Sequence, residues 1–317
     1  MADIQSNFAR LGLDVSDIFN MDETPGIYGL NPTRAYGPRG ATRAVQAPDN
    51  DDRSRMTIIV TIGADGSVIA PQFIIKNATD LADQSNTRVL ASLLKDKTFN
   101  VDGLWESALW TRTMNLRNKK KAGKLEDVTF TRPYLHHPDG RVVWAHPKAY
   151  MDSPGLAMYA DLVLGPLRVA RGRQRIGLVW DNCASHLVAS VLAVFAEHSI
   201  EVFALPKNMT DLLQPVDIVP NGPIKAHIKR ARSIQLYEYL QEFNTDYHAA
   251  ASNVDANNKP APLPTPAYKP PVPTMAQGIT IVSEAFSGPF QTPEFQESIR
   301  KCFVTVGLAP CTEAGSY

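Results

Sequence analysis

Short runs of valine, isoleucine and other apolar residues recur along the first two thirds of the chain, and each stops at a polar or turn-forming residue. Met56 to Ile62 and Val68 to Ile75 flank Gly63-Ala64-Asp65-Gly66. An Asp-Gly turn between two β-branched runs predicts a hairpin, and turn chemistry suffices to explain Asp65. Upstream, Val15, Ile18, Phe19 and Met21 form a strand-like run with Asp22 on it or at its end. Downstream, the run from Ile176 to Trp180 stops at Asp181-Asn182. A helix-like segment over 185–198 follows, then a second run from Val202 to Leu205, and Asp217 opens a further amphipathic segment. Strands alternating with helices predict an α/β fold.

Helical spacing recurs at Ala78 to Lys97 and Pro147 to Arg168. It returns at Ile224 to Phe243, where Ile224, Ile228, Ile234, Leu236, Leu240 and Phe243 make an apolar face with Lys225, Lys229, Arg230 and Arg232 beside its start. Ala2 to Leu13 reads as the tail of a helix or a linker. From about 99 to 150 no period stands out, and this stretch is expected to be an insertion. Proline and alanine over 248–273 predict an extended linker between a domain spanning 1–247 and a C-terminal helical segment over 274–317. In that last segment Ile299, Phe303 and Val306 are expected packing residues, without an assigned role.

Composition narrows the class. The 317 residues are 44% hydrophobic and 20% charged, as in globular domains, and 32 basic residues balance 32 acidic ones. Any polyanion-binding face must therefore be local. No apolar run reaches the roughly 18 residues a membrane helix needs, so no membrane partner is expected. The N-terminus lacks the apolar core of a signal peptide. Cys183, Cys302 and Cys311 are odd in number and lack a zinc-type spacing with histidines, which favours a reducing compartment. Cys183 reads as a packing residue. His136, His137 and His146 read as ordinary loop histidines rather than metal ligands. Lys119-Lys120-Lys121 and 229–232 are the only basic clusters that suggest a nuclear signal.

Polar residues just past the carboxyl ends of strands lie where open α/β sheets bind ligands, so Asp181 and Asp217 are expected to converge, with Asp22 as a third carboxylate. Each also has a simpler reading, since an aspartate before a helix fits an N-cap.

Four blocks in this order resemble the DDE-superfamily transposase catalytic domain of the pogo, Tigger, jerky and centromere protein B group. They are NMDET at Asn20 to Thr24, the strand pair at Met56 to Lys76, WDNCASH at Trp180 to His186, and LPKNMTDLLQPVDIVPNGPIK at Leu205 to Lys225. The resemblance covers roughly residues 18–229. It implies a ribonuclease H-like mixed sheet flanked by helices, with the first acid on the central strand, the second just past a neighbouring strand and the third on a helix. Asp22 and Asp181 stand 159 positions apart, longer than a compact member of the group, and Asp217 follows 36 later.

The implied activity is metal-dependent DNA cleavage and strand transfer. Asp22, Asp181 and Asp217 would hold two Mg2+ or Mn2+ ions, with Asp22 bridging them; carboxylates are the oxygen donors such ions prefer. Asn182, His186, Gln214 and Lys225 are expected supporting residues, with Asn221 a further polar neighbour. Arg39, Arg43, Lys119, Lys120, Lys121, Lys225, Lys229 and Arg230 are expected to contact DNA phosphates, although a solvated basic surface accounts for them equally well. The expected partner is DNA, as transposon ends or target duplex, in a nucleus, with the homodimer left open. The chain begins 21 residues before Asp22, too few for the group's usual helix-turn-helix region. A domesticated, non-catalytic DNA- or protein-binding module is therefore the competing expectation. A nuclease acting on RNA is a third.

Overall fold

The computed structural model describes residues 2–27, 55–76, 85–118, 124–183, 186–252 and 273–309. Eight strands form one sheet: β1 (Ile18–Ile27), β2 (Arg55–Gly63), β3 (Gln72–Lys76), β4 (Glu106–Asn118), β5 (Lys124–His136), β6 (Val142–His146), β7 (Ile176–Trp180) and β8 (Ile200–Ala204). The helices are α1 (Ala2–Leu11), α2 (Ser85–Lys95), α3 (Ser153–Tyr159), α4 (Gly165–Ala170), α5 (Ala189–Glu197), α6 (Thr210–Leu213), α7 (Pro215–Ile218), α8 (Asn221–Ser252), α9 (Met275–Ser287) and α10 (Pro293–Thr305).

The strands lie in the order β4-β5-β6-β3-β2-β1-β7-β8. β1, β2 and β3 run as an antiparallel meander, and β7 and β8 join β1 in parallel. An antiparallel three-strand unit with two parallel strands added at the first strand is the ribonuclease H-like core. The expected fold class is therefore the one observed. It follows from connection length: the Asp-Gly turn can only fold β2 back on itself, whereas β7 and β8 are separated by a helix that permits a parallel crossover.

Side chains alternate across this sheet. Ile18, Ile58, Val60, Ile75 and Val179 face a layer built from α1, α2, α7, the start of α8, α9 and α10. Phe19, Met21, Ile59, Ile74, Leu178 and Trp180 face a second layer with α3, α5 and the β4–β5 hairpin. Neighbouring residues such as Ile58 and Ile59 thus enter opposite cores. Both faces being covered explains why these strands are apolar throughout rather than alternating.

Several expected elements shift. Residues 99–150 are not without structure: they supply β4, β5 and β6, which extend the central sheet. A period-two pattern was present in Trp110, Arg112 and Met114 opposite Thr111 and Thr113. Arginine at one of the inward positions obscured it. The second hairpin strand starts at Gln72, with Val68 reaching β2 only through a single bridge at Ile62. The segment expected as one helix at 147–168 is α3, a π-helical turn at Ala160–Leu164 and α4.

α8 buries Ile224 and Ile228 but leaves Ile234 exposed, so its apolar face is shorter than its sequence suggests. A 32-residue helix is about 48 Å long and outruns the strands beneath it. It also continues to Ser252, past 247. α9 and α10 place Ile279, Val282, Ile299 and Phe303 in the same core as β2 and β3. Most of the expected linker lies outside the described residues. Among the described residues no helix is long and apolar enough to cross a membrane.

Candidate active site

The three aspartates lie on β1, just past β7 and on α7, which packs against β1. β1 pairs with β7 only from Ile18 to Asn20, where Asn20 lies opposite Val179. β1 then continues two residues to Asp22, and the chain leaving β7 at Trp180 reaches Asp181. Adjacent strands lie about 4.8 Å apart, so these acids leave neighbouring positions; alternation gives Asp22 the face of Ile18, whereas Asp181, one residue past β7, turns its carboxylate to His186. α7 covers the face of Ile18 and carries Asp217.

Asn20 fixes α7 there. Its buried side chain donates from Nδ2 to the Val179 carbonyl (2.9 Å) and accepts at Oδ1 from the Val216 amide (2.9 Å). One side chain therefore ties together the strand bearing Asp22, the strand leading to Asp181 and the turn bearing Asp217. Gln214, also fully buried, donates to the Met21 carbonyl at 3.4 Å. Asn221 donates to Asp217 Oδ1 at 2.7 Å. Gln214 and Asn221 thus brace the fold through their amide nitrogens. Neither Asp181 nor Asp217 caps a helix through its side chain: the residues preceding α5 and α7 are Val188 and Gln214, without side-chain caps, and Asp217 lies inside α7.

The electrostatics record the convergence. Burial, then the charges of Asp217, Glu23 and Asp181, push the Asp22 carboxyl up to about 8. Asp181 is held below the ordinary carboxylate range by His186, against desolvation, with help from the Cys183 amide (3.0 Å). His186 is 4% exposed and stacks beside Trp180, with ring centroids 4.8 Å apart. Its Nε2 lies 3.2 Å from Glu23 Oε1 and its Nδ1 lies 2.7 Å from Asp181 Oδ1. Burial opposes charge on this imidazole, but the two carboxylates outweigh it and push it up to about 10.

Glu23 and Asn20 had no assigned role in the sequence, although both stand in the NMDET block. Alternation explains Glu23: it points to the face opposite Asp22, where the segment after Trp180 brings His186. Cys183 is exposed, so the expectation of a packing residue is corrected; it sits on the loop after β7, beyond the close-packed strand.

Orphaned polar atoms border the acids. Thr24 Oγ1, His186 Nδ1, Gln214 Oε1 and Asn221 Oδ1 are buried without a hydrogen-bond partner. Asp22 with its acidic neighbours Asp217, Glu23 and Asp181, and the imidazole between Glu23 and Asp181, are the oxygen and nitrogen groups that could hold a cation; the donor atoms that all lie within 4.8 Å of one another are those of Asp181, Cys183 and His186.

Of the residues expected at DNA, Lys225, Lys229 and Arg230 are exposed on α8. Asn221, Lys225 and Lys229 are spaced by four and so form one stripe beginning at the Asp217 brace. Arg39, Arg43, Lys119, Lys120 and Lys121 lie outside the described residues. Arg112, on β4, pairs with Asp161 (2.7 Å) and with Glu197, anchoring the hairpin to the helical layer. Asn182 is half-buried beside Asp181. His136, His137 and His146 belong to strands or their ends. His137 is buried between Asp102 and Asp139, each 2.8 Å away.

No protein-family model and no curated protein matches the chain. Solved structures with a distant likeness include the Mos1 transposase paired-end complex with left transposon end, at 11% identity and a TM-score of 0.38, covering 97% of this chain and 60% of that one. The Mos1 mariner paired end complex with Mn gives 11%, 0.39, 96% and 61%, and the catalytic domain of Mos1 mariner transposase gives 12%, 0.32, 96% and 89%. The chain thus spans about 60% of the length of the complexed transposase chains. Its own fold is fixed by the strand order and directions described above.

Proposed function

We propose that this chain is a metal-dependent DNA endonuclease and strand-transfer domain of transposase type. The observation that carries the reading is the charge coupling of Asp22 to Asp217 and Asp181 where β1 and β7 part, with the Asp22 carboxyl pushed up to about 8 by burial and its acidic neighbours. In this reading Asp22, Asp181 and Asp217 would hold Mg2+ or Mn2+. Bound there, the ions supply activation of an attacking oxygen and charge stabilisation at the leaving one.

The protein's own groups do the positioning. Asn20 and Gln214 hold α7 against β1, which keeps Asp217 on the side of β1 that carries Asp22. His186 keeps Asp181 ionised and oriented, and Glu23 orients His186. Asn182 lies beside Asp181 as a further polar contact. The stripe of Lys225 and Lys229, with Arg230, would carry the phosphate backbone away from the acids, fixing position rather than sequence. The strand order, the placement of the acids and the four sequence blocks support membership of the pogo-like group; DNA as partner, a homodimer and nuclear residence are parts of the same proposal.

The test is nicking of duplex DNA by the purified chain in Mg2+ or Mn2+, beside Asp22→Asn, Asp181→Asn and Asp217→Asn. Cleavage abolished by each substitution, with the fold intact by circular dichroism, is expected. Cleavage unchanged by Asp181→Asn refutes the reading. DNA affinity without metal binding or cleavage would instead support the non-catalytic module, which the zero net charge also accommodates.

A further inference from the structure

Beside the carboxylates of the proposed nuclease site lies a donor cluster of different chemistry. Asp181, Cys183 and His186 offer an oxygen, a sulfur and a nitrogen that all lie within 4.8 Å of one another. Among the described residues this is the one mixed-donor cluster able to hold an ion. Cys183 is exposed, giving an ion a path of entry, whereas His186 is 96% buried and rigidly held against Trp180.

The imidazole supplies an independent pointer. Its Nδ1 makes no hydrogen bond, although Asp181 Oδ1 is only 2.7 Å away, because the carboxylate lies off the line a hydrogen bond needs. Its other nitrogen, Nε2, meets Glu23 Oε1 at 3.2 Å. Once the imidazolium loses its Nδ1 proton, the Glu23 carboxylate on Nε2 holds the tautomer whose Nδ1 lone pair can meet a metal, and this carboxylate–histidine pairing is how proteins orient imidazole ligands. Asp181, Cys183 and Nδ1 of His186 then give three protein donors with a fourth position left for water, an arrangement zinc accepts.

We infer that Asp181, Cys183 and His186 form a binding site for Zn2+ or a similarly borderline-soft ion, oriented by Glu23 and antagonistic to the hard ions that share Asp181. Thiolate and imidazole select zinc over magnesium, and at a mixed N, O, S site zinc outcompetes manganese. On binding, the Cys183 thiol and the His186 Nδ1 each give up a proton to solvent, with no change in oxidation state. A zinc ion there engages the Asp181 carboxylate and so withdraws it from the arrangement cleavage requires. The antagonism rests on the nuclease reading; the site itself does not.

Cobalt is the probe, since a Co2+–thiolate bond has its own charge-transfer absorption. The reduced, metal-stripped chain is titrated with Co2+, then with Zn2+ or Mg2+ in competition. One equivalent of Co2+ should produce the thiolate band, Zn2+ should abolish it and excess Mg2+ should not. Cys183→Ser, at an exposed position that keeps the fold, should remove the band, and Glu23→Gln should weaken Co2+ binding by about 10–100-fold. In Mn2+-supported DNA cleavage, Cys183→Ser should keep activity while raising the half-inhibiting Zn2+ concentration by at least about tenfold.

Absence of the band in the wild-type chain overturns the site. A band that survives Cys183→Ser assigns the ion to another thiol and also overturns it. Unaltered zinc inhibition in Cys183→Ser overturns the antagonism. A Cys183-dependent band in a chain that cleaves no DNA with any ion sustains the site and removes only the nuclease reading.

Discussion

Replacing Asp22 with asparagine separates what the acidic cluster costs the fold from what it does for an ion. In the metal-free chain, burial and the charges of Asp217, Glu23 and Asp181 raise this carboxyl from 3.8 to about 8. A folded-state value above the unfolded one means that stability is full below pH 3.8 and is lost progressively as pH rises toward 8. Taken at face value, the difference is on the order of 4 kcal/mol at pH 7. Asp22 keeps some contact with water and counter-ions, which brings a realistic figure to roughly 1–3 kcal/mol. At about 2–4 °C per kcal/mol for a chain of this size, Asp22→Asn should melt several degrees higher than wild type at pH 8 in chelator. The advantage should shrink toward pH 4. Added Mn2+ should reverse the order, because a ligand that binds only the folded wild type stabilises it by mass action. Thermal and urea unfolding across pH 4 to 9, with and without Mn2+, measure both effects. If metal-free Asp22→Asn proves no more stable at pH 8 than at pH 4 relative to wild type, the carboxylates are not repelling one another and the site argument fails.

Three further outcomes follow from other contacts. Asn20→Ala leaves the Val179 carbonyl and the Val216 amide without their partner, at roughly 1–3 kcal/mol each; urea unfolding should show that loss, and ion affinity should fall because α7 is no longer pinned. Asp152 accepts both Arg132 nitrogens (2.7 and 2.5 Å) and the Gly155 amide, which hold it below 3.8 despite burial. Asp152→Asn should therefore cost roughly 3 kcal/mol near neutral pH, and the gap to wild type should close as acid falls below 3.8 and protonates the native carboxylate. The combined Lys225→Ala and Lys229→Ala variant should weaken DNA binding uniformly across sequences and lower the salt slope by about one per lost phosphate contact, as read by fluorescence anisotropy at several salt concentrations.

Periodicity and turn residues were enough to foresee β1, the β2–β3 hairpin, the β7–helix–β8 unit and the carboxylates at their ends. Each of those features is local: a β-branched run, a Gly-containing turn, an acid where the run stops. The spacing of Asp22, Asp181 and Asp217 in family-like blocks was legible for the same reason. What the local pattern could not supply was partnership. Nothing near Arg112 in sequence marks Asp161, 49 positions away, as its partner, and nothing in residues 99–150 announces that β6 pairs with β3. Cys183 changed from packing residue to candidate ligand because a loop, not a strand, carries it past the sheet edge. Asn20 and Glu23 stand beside Asp22 in sequence, but alternation sends them to different partners, α7 and His186. Those assignments depend on which distant segment covers each face, and that is decided by burying both faces of the sheet at once, a condition no stretch of sequence meets alone.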